Sequence, residues 1–173
     1  GGEGVDKRID TLAVAIRFGL TVYDLEEMEL AYAPPFSSAK DPVNMAGFVA
    51  ENVLRGVMTP FYPEDVASIP QDAVRLDVRS PGELEALGAI PGFVNIPVNE
   101  LRNRMGEVDL SKPIYVTCQV GLRGHVASRM LAQNGAKVYN LSGGYALYSA
   151  YVKDLQGLAD GGSKSCAACG QQV

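Results

Sequence analysis

The run Cys118-Gln119-Val120-Gly121-Leu122-Arg123-Gly124 follows directly on the apolar stretch Ile114-Tyr115-Val116-Thr117. The pattern predicts a strand that delivers a thiol into a tight, glycine-containing loop, with a helix starting behind it. A thiol so placed lies where several backbone N–H groups and the positive end of a helix dipole converge. Such surroundings lower a thiol's pKa and hold an anion on or beside its sulfur. Cys118 is therefore the candidate nucleophile. The backbone N–H groups of Gln119, Val120, Gly121, Leu122 and Gly124 are the candidate substrate-binding lining, placed to stabilise negative charge at the sulfur. Arg123 adds a fixed cation, able to bind an anionic substrate or to order the loop. Gly121 permits a backbone conformation that a side chain would forbid. A buried, inert core cysteine is the competing reading of a thiol at a strand end. The loop and the arginine together favour the nucleophile.

Loop length narrows the chemistry. Four residues separate Cys118 from Arg123. A cysteine-dependent phosphatase needs a longer loop, because its backbone must wrap a tetrahedral phosphate. The tighter loop suits one extra sulfur atom on the cysteine. These residues resemble the active-site loop of the rhodanese (sulfurtransferase) family. The flanking segments carry the resemblance further: Leu76-Asp77-Val78-Arg79-Ser80-Pro81-Gly82-Glu83-Leu84, Gly88-Ala89-Ile90-Pro91-Gly92-Phe93-Val94-Asn95-Ile96-Pro97, and Leu141-Ser142-Gly143-Gly144-Tyr145. They stand in the family's order over roughly residues 57–155. Ala89 occupies a position where the family commonly has His, and that position is structural there.

The resemblance implies persulfide chemistry. A Cys118 thiolate attacks a sulfane sulfur of thiosulfate, polysulfide or a persulfide, the leaving group departs, and an acceptor thiol (or cyanide) removes the outer sulfur. The alternative is a sulfur carrier or docking module that holds persulfide with little turnover of its own. Asp77 and Arg79 alternate with Leu76 and Val78, which by itself suits a solvent face. The resemblance implies instead that they lie near the loop and support it. His125 is the only histidine. No base is needed if the thiol is already ionised, so a solvated surface histidine is expected. No metal is expected at the site.

The chain has 173 residues, formal net charge −5 and a sequence pI near 4.9. That length suits one full domain plus further elements. No basic stripe interleaved with aromatics is present, which argues against nucleic acid. No apolar run approaches a membrane span and no signal-peptide layout is seen. Three cysteines make no disulfide framework. A reducing cytoplasm is the expected compartment.

Residues 1–56 read as a separate helical segment. Ile9, Leu12, Ala13 and Ile16 share a helical face that Gly19 ends. Residues 24–28 read as a short helix with an acidic first turn. Asp41-Pro42 is a helix start, and Val43, Ala46, Val49, Ala50, Val53 and Leu54 supply its apolar face up to Gly56. Gly4-Val5-Asp6-Lys7-Arg8-Ile9-Asp10 and Tyr32-Ala33-Pro34-Pro35-Phe36-Ser37-Ser38-Ala39-Lys40-Asp41-Pro42 resemble the C-terminal dimerisation domain of flavin-dependent disulfide reductases. The type most alike is the coenzyme A disulfide or persulfide reductase that carries a rhodanese domain at its C-terminus. The resemblance implies that the chain is the C-terminal part of such a reductase. FAD and NAD(P)H are then expected only in the remaining part, since no dinucleotide glycine loop is present here. The flavin domain and a homodimer partner are expected contacts, beside the small sulfur donor and thiol acceptor. Tyr32 matches a tyrosine that reaches across the dimer in that family; without the flavin domain, simple packing in the dimer interface is the expectation for it here.

Over 57–155, strands are expected at 57–61, 74–79, 93–96, 114–118 and 137–140. Helices are expected near 63–67, 81–87, 98–105, 122–134 and 145–155, with Val126, Met130 and Leu131 facing inward behind the loop. Strands alternating with helices predict α/β architecture: a rhodanese-like parallel sheet flanked by helices, preceded by the helical remnant. Residues 156–173 read as a flexible tail. Its Cys166 and Cys169 form a C-x-x-C that could relay sulfur, form a disulfide or supply half a zinc site.

Overall fold

A computed structural model of the chain describes residues 4–31 and 40–159. The chain divides into two units, Gly1–Thr59 and Pro60–Val173. Tyr32, Cys166 and Cys169 lie outside the described residues.

The first unit holds α1 (Val5–Arg17), α2 (Val22–Glu27) and α3 (Pro42–Leu54). Thr21 caps α2: Asp24 N–H donates to its hydroxyl, and the Asp24 carboxylate accepts from Thr21 N–H at 2.6 Å. Asp41 caps α3 by accepting from Val43 N–H at 2.8 Å, with Pro42 at the first helical position. It also pairs with Arg8 of α1 at 3.1 Å. Of the expected apolar face of α3, Val43 is buried, but Val49, Val53 and Leu54 are exposed, and the other buried positions are Asn44 and Gly47. Two contacts to α2 decide this. Asn44 Nδ2 donates to the carbonyls of Leu25 and Met28 at 2.8 and 3.0 Å, satisfying the open end of α2. Gly47 lets α2 approach, since a Cβ there would meet Val22 O at 2.9 Å. Likewise α1 buries Ala15, while Ile9 and Ile16 stay exposed, Ile16 at 79%.

The second unit is a five-stranded sheet in the order β1-β5-β4-β2-β3. The strands are β1 (Thr59–Phe61), β2 (Val74–Asp77), β3 (Val94–Asn95), β4 (Ile114–Thr117) and β5 (Val138–Leu141). The ladders β2–β3, β2–β4 and β4–β5 are parallel. The helices are α4 (Pro81–Leu87), α5 (Val98–Leu101), α6 (Leu122–Gln133) and α7 (Gly144–Ala159). Alternation along the strands splits the core in two. Leu76, Ile114, Val116, Leu101, Ala127 and Leu131 pack on one side of the sheet. Phe61, Ile90, Leu141, Tyr115, Tyr139 and Tyr145 pack together as the other cluster. No helix among the described residues is long and apolar enough to cross a membrane.

The last helix, α7, runs on to Ala159, past the expected end at 155 and into the expected tail. Three further departures have local reasons. β2 stops at Asp77, because the Asp77 carboxylate takes the N–H of Arg79 at 3.0 Å and turns the chain toward α4. The helix expected over 98–105 ends at Leu101 and resumes as a 3₁₀ turn, Met105–Glu107, where Arg104 grips Glu100 and Glu107 at 2.9 and 2.7 Å. Val126 points outward from α6, and Gly124, Ala127, Ser128 and Leu131 are the buried positions.

The order of strands creates the crevice. From β2 the chain crosses to the edge as β3, then returns to lie on the other side of β2 as β4. Loops leaving β2 and β4 therefore diverge at their carboxyl ends, which opens a cleft there.

Candidate active site

Cys118 is the first residue beyond β4 and is buried, at 1% exposure. Its Sγ accepts the N–H of Gly121 at 3.1 Å. Gly121 is the N-cap of α6, in the left-handed region with φ 107°. Only glycine takes that conformation without strain, and it swings the N–H back onto the sulfur. The positive end of the α6 dipole lies at this same N-terminus. The loop is braced from behind by α7, whose Tyr145 and Ala146 N–H groups donate to the carbonyls of Cys118 and Gln119 at 2.7 and 3.0 Å. Gly144 makes this possible, because a Cβ there would run into the Cys118 carbonyl. Asn140 of β5 donates to Gly121 O at 3.1 Å, and only a glycine at 124 leaves room for its side chain.

Asp77 and Arg79 are fully buried at 0% exposure, not on a solvent face. Arg79 Nε and Nη2 donate to the Asp77 carboxylate, the closest contact being 2.7 Å. Nη2 also donates to Gly88 O at 2.9 Å, and Nη1 reaches Gln119 Oε1 at 3.4 Å. The guanidinium lies 4.1 Å from the ring centre of Tyr145, whose hydroxyl donates to Leu87 O at 2.7 Å. One arginine thus ties β2, the Gly88 turn, α7 and the Cys118 loop together. A planar five-donor fork is needed for this, which lysine lacks. Asn95 completes the support by donating to the carbonyls of Asp77 and Arg79 at 2.9 and 2.8 Å.

Arg123 is not a free cation. Its two terminal nitrogens donate to the two oxygens of Glu83 at 2.7 and 2.5 Å, a bidentate pair between α6 and α4. Arg123, followed by the Ser80 N–H, holds the Glu83 carboxyl well below the usual range, at about 2. Arg123 is in turn held charged, first by Glu83 and also by Cys118 and Asp77. His125 is half-buried rather than solvated; burial first, then the Arg129 charge, push its pKa down. Val120 and Leu122 are exposed, so the loop contributes backbone, not side chains, to the sulfur.

The expected residues therefore gather: Cys118, the loop from Gln119 to Gly124, Asp77 and Arg79 share one end of the sheet. Sequence reasoning missed Glu83, Asn140, Gly144 and Tyr145. Glu83 carried a signal, since Ser80-Pro81-Gly82-Glu83 is a capping-box pattern, and Ser80 N–H does donate to it at 3.0 Å. Asn140 carried none, because its partners lie 19 residues away and only the β4–β5 pairing brings them together.

The model of the Rhodanese-like domain matches residues 63–151. The chain belongs to the rhodanese-like domain family, and sulfur transfer is the chemistry of this class. Its relatives extend past that domain. It is 48% identical to the reduced Bacillus anthracis CoADR-RHD, with a TM-score of 0.81 over 86% of this chain and 27% of that one. It is 40% identical to the NAD-dependent persulfide reductase from A. fulgidus, with a TM-score of 0.74 over 86% of this chain and 26% of that one. A coenzyme A disulfide reductase of Staphylococcus aureus (strain bovine RF122 / ET3-1) is 57% identical over 51 residues, 30% of this chain and 12% of that protein. The chain thus spans about a quarter or less of the reductases it matches. At 86% coverage the first two similarities run across both units.

Proposed function

We propose that Cys118 accepts a sulfane sulfur from thiosulfate, polysulfide or a persulfide and passes it to a thiol. The observation that carries this reading is the Gly121 N–H on Cys118 Sγ at 3.1 Å, at the N-terminus of α6. The Cys118 thiolate attacks the sulfane sulfur, the bond to the donor breaks, and the donor leaves with the electron pair. Cys118 then carries an outer sulfur as a persulfide anion. The loop dipoles stabilise that charge in both half-reactions. An acceptor thiolate attacks the outer sulfur and Cys118 leaves as thiolate, with no net oxidation. Because Cys118 is buried, the outer sulfur is the atom presented to the acceptor. Arg123, neutralised by Glu83, orders the loop rather than binding the donor.

The reductase similarity supports placing this unit in a longer chain whose flavin part reduces disulfides or persulfides. FAD and the nicotinamide belong to that part. Three of the four β-to-α turns, those into α4, α6 and α7, do not fit a pyrophosphate. The N–H groups that open α7 are taken by the Cys118 and Gln119 carbonyls, Glu83 takes the N–H of Ser80, and the α6 turn faces the thiol. The exposed apolar side chains of α1 and α3 suit contact with the flavin part and across a homodimer.

Mass spectrometry of Cys118 after incubation with thiosulfate and, separately, with polysulfide tests the proposal. Gain of one sulfur atom on Cys118, removed by cyanide, is expected. No gain from either donor overturns it. A persulfide that forms but does not turn over with thiols or cyanide favours the carrier reading.

A further inference from the structure

Beside the loop lies a groove of about 490 Å³ between α5 and α6, and Arg123 forms part of its wall. Val98, Val126 and Met130 are its apolar lining, and Asn99, Arg102 and Asn103 its polar lining beside Arg123. The outward turn of Val126, 46% exposed, puts its side chain in this lining. Arg123 connects the groove to the reacting sulfur, since it lines the groove and stands in the first turn of α6, two residues past Gly121, whose N–H donates to Cys118 Sγ.

The charges around the groove are matched one by one, with an exception. Glu83 is taken by Arg123. Glu100 and Glu107 are both taken by Arg104. Among the described residues Arg102 has no carboxylate within ion-pair distance, although it stands two residues from both Glu100 and Arg104. A groove lined by apolar and amide side chains and an unmatched guanidinium complements one kind of small molecule: an apolar stem ending in an anion.

We propose that this groove seats the acceptor thiol, and that it selects acceptors whose anionic end pairs with Arg102 while the stem lies on Val98, Val126 and Met130. The proposal rests on the sulfur-transfer reading and adds the acceptor's chemistry to it. The thiolate end meets the outer sulfur of the Cys118 persulfide. A sulfur–sulfur bond to the acceptor forms as the bond to Cys118 breaks, and Cys118 keeps the electron pair.

The test compares ω-mercaptohexanoate with ω-mercaptohexanol as acceptors for the full chain preloaded with polysulfide. The wild type should prefer the carboxylate in kcat/KM, through KM. Arg102→Glu should lower the ratio of the two by about two- to fivefold, the size of one exposed charge contact. Arg102→Lys should restore part of it, and added salt should shrink the preference. An unchanged ratio in Arg102→Glu overturns the inference even if persulfide forms normally. Should no persulfide form, the sulfur-transfer reading fails, and binding alone decides the groove. The unreactive thioether ω-(methylthio)hexanoate should then shift the methyl resonances of Val126 and Met130 in the wild type and not in Arg102→Glu. Absence of saturable shifts in the wild type overturns the groove.

Discussion

At the scale of single residues, the site rests on two ion pairs with opposite settings. Arg79 and Asp77 are fully buried and hydrogen-bonded on all sides. Removing one partner leaves the other charged, buried and unmatched. Arg79→Ala should therefore lose about 3–5 kcal/mol of stability in urea unfolding. Arg79→Lys should recover little, because an ammonium cannot span Asp77, Gly88 O and Gln119 together. The Glu83–Arg123 pair is partly exposed, so solvent screening keeps its contribution small. Its pH dependence is still distinctive. The folded carboxyl sits at about 2 against an ordinary 4.5, so the unfolded state takes up a proton first as pH falls. The contribution is full above about 4.5 and is lost as pH falls through about 2. The Tm gap between wild type and Glu83→Gln should be present at neutral pH and close over that window. A gap of constant size down to the lower end would show that the pair is not the cause. For the nucleophile, Cys118→Ser should abolish persulfide formation, while Cys166→Ser with Cys169→Ser should leave it intact.

At the scale of elements, the loop depends on how closely α7 can approach. Gly144 has φ 59° and faces the loop backbone. An alanine there meets both a strained left-handed backbone and the Cys118 carbonyl. Gly144→Ala should destabilise by about 2 kcal/mol or more and lower sulfur transfer, because the helix can no longer donate to the loop. Gly157 lies on the same helix with nothing near its missing Cβ. Gly157→Ala should be neutral or stabilising by up to about 1 kcal/mol. Equal effects at the two positions would mean that helix propensity, not close approach, sets the outcome. Differential calorimetry and a cyanide-coupled transfer assay read both variants.

At the scale of the whole molecule, the second unit holds both packed clusters within itself, from Phe61 to Tyr148. The whole candidate site lies inside it as well. A chain starting at Pro60 should therefore melt cooperatively and keep the persulfide chemistry of Cys118. Loss of the sharp transition on removal of residues 1–59 would show that the first unit is needed for folding. The first unit, by contrast, exposes Ile9, Val14, Ile16 and Phe18 along or just beyond α1. Sedimentation of the full chain should show concentration-dependent association, weakened by Ile16→Glu with Phe18→Glu.

What the sequence by itself determined is the local and periodic part. The thiol after an apolar strand, the glycine before a helix, the Asp41-Pro42 start and the alternation of strands with helices are written in neighbouring residues. Short-range physics decides them: capping, backbone freedom and burial period. The tertiary structure decided what depends on pairs far apart in the chain. Arg123 reads as a cation that either binds an anion or orders the loop, and the choice is made only when the sheet brings α4 beside α6 and Glu83 takes it. Val126 reads as core until Gly124 and Asn140 close the other face of α6. Arg79 reads as solvent-facing from alternation alone, and as the hub of the site only once Gly88, Gln119 and Tyr145 converge on it. A side chain's type limits what it can bind, but its counter-charge and its burial come from elements that only strand order brings together.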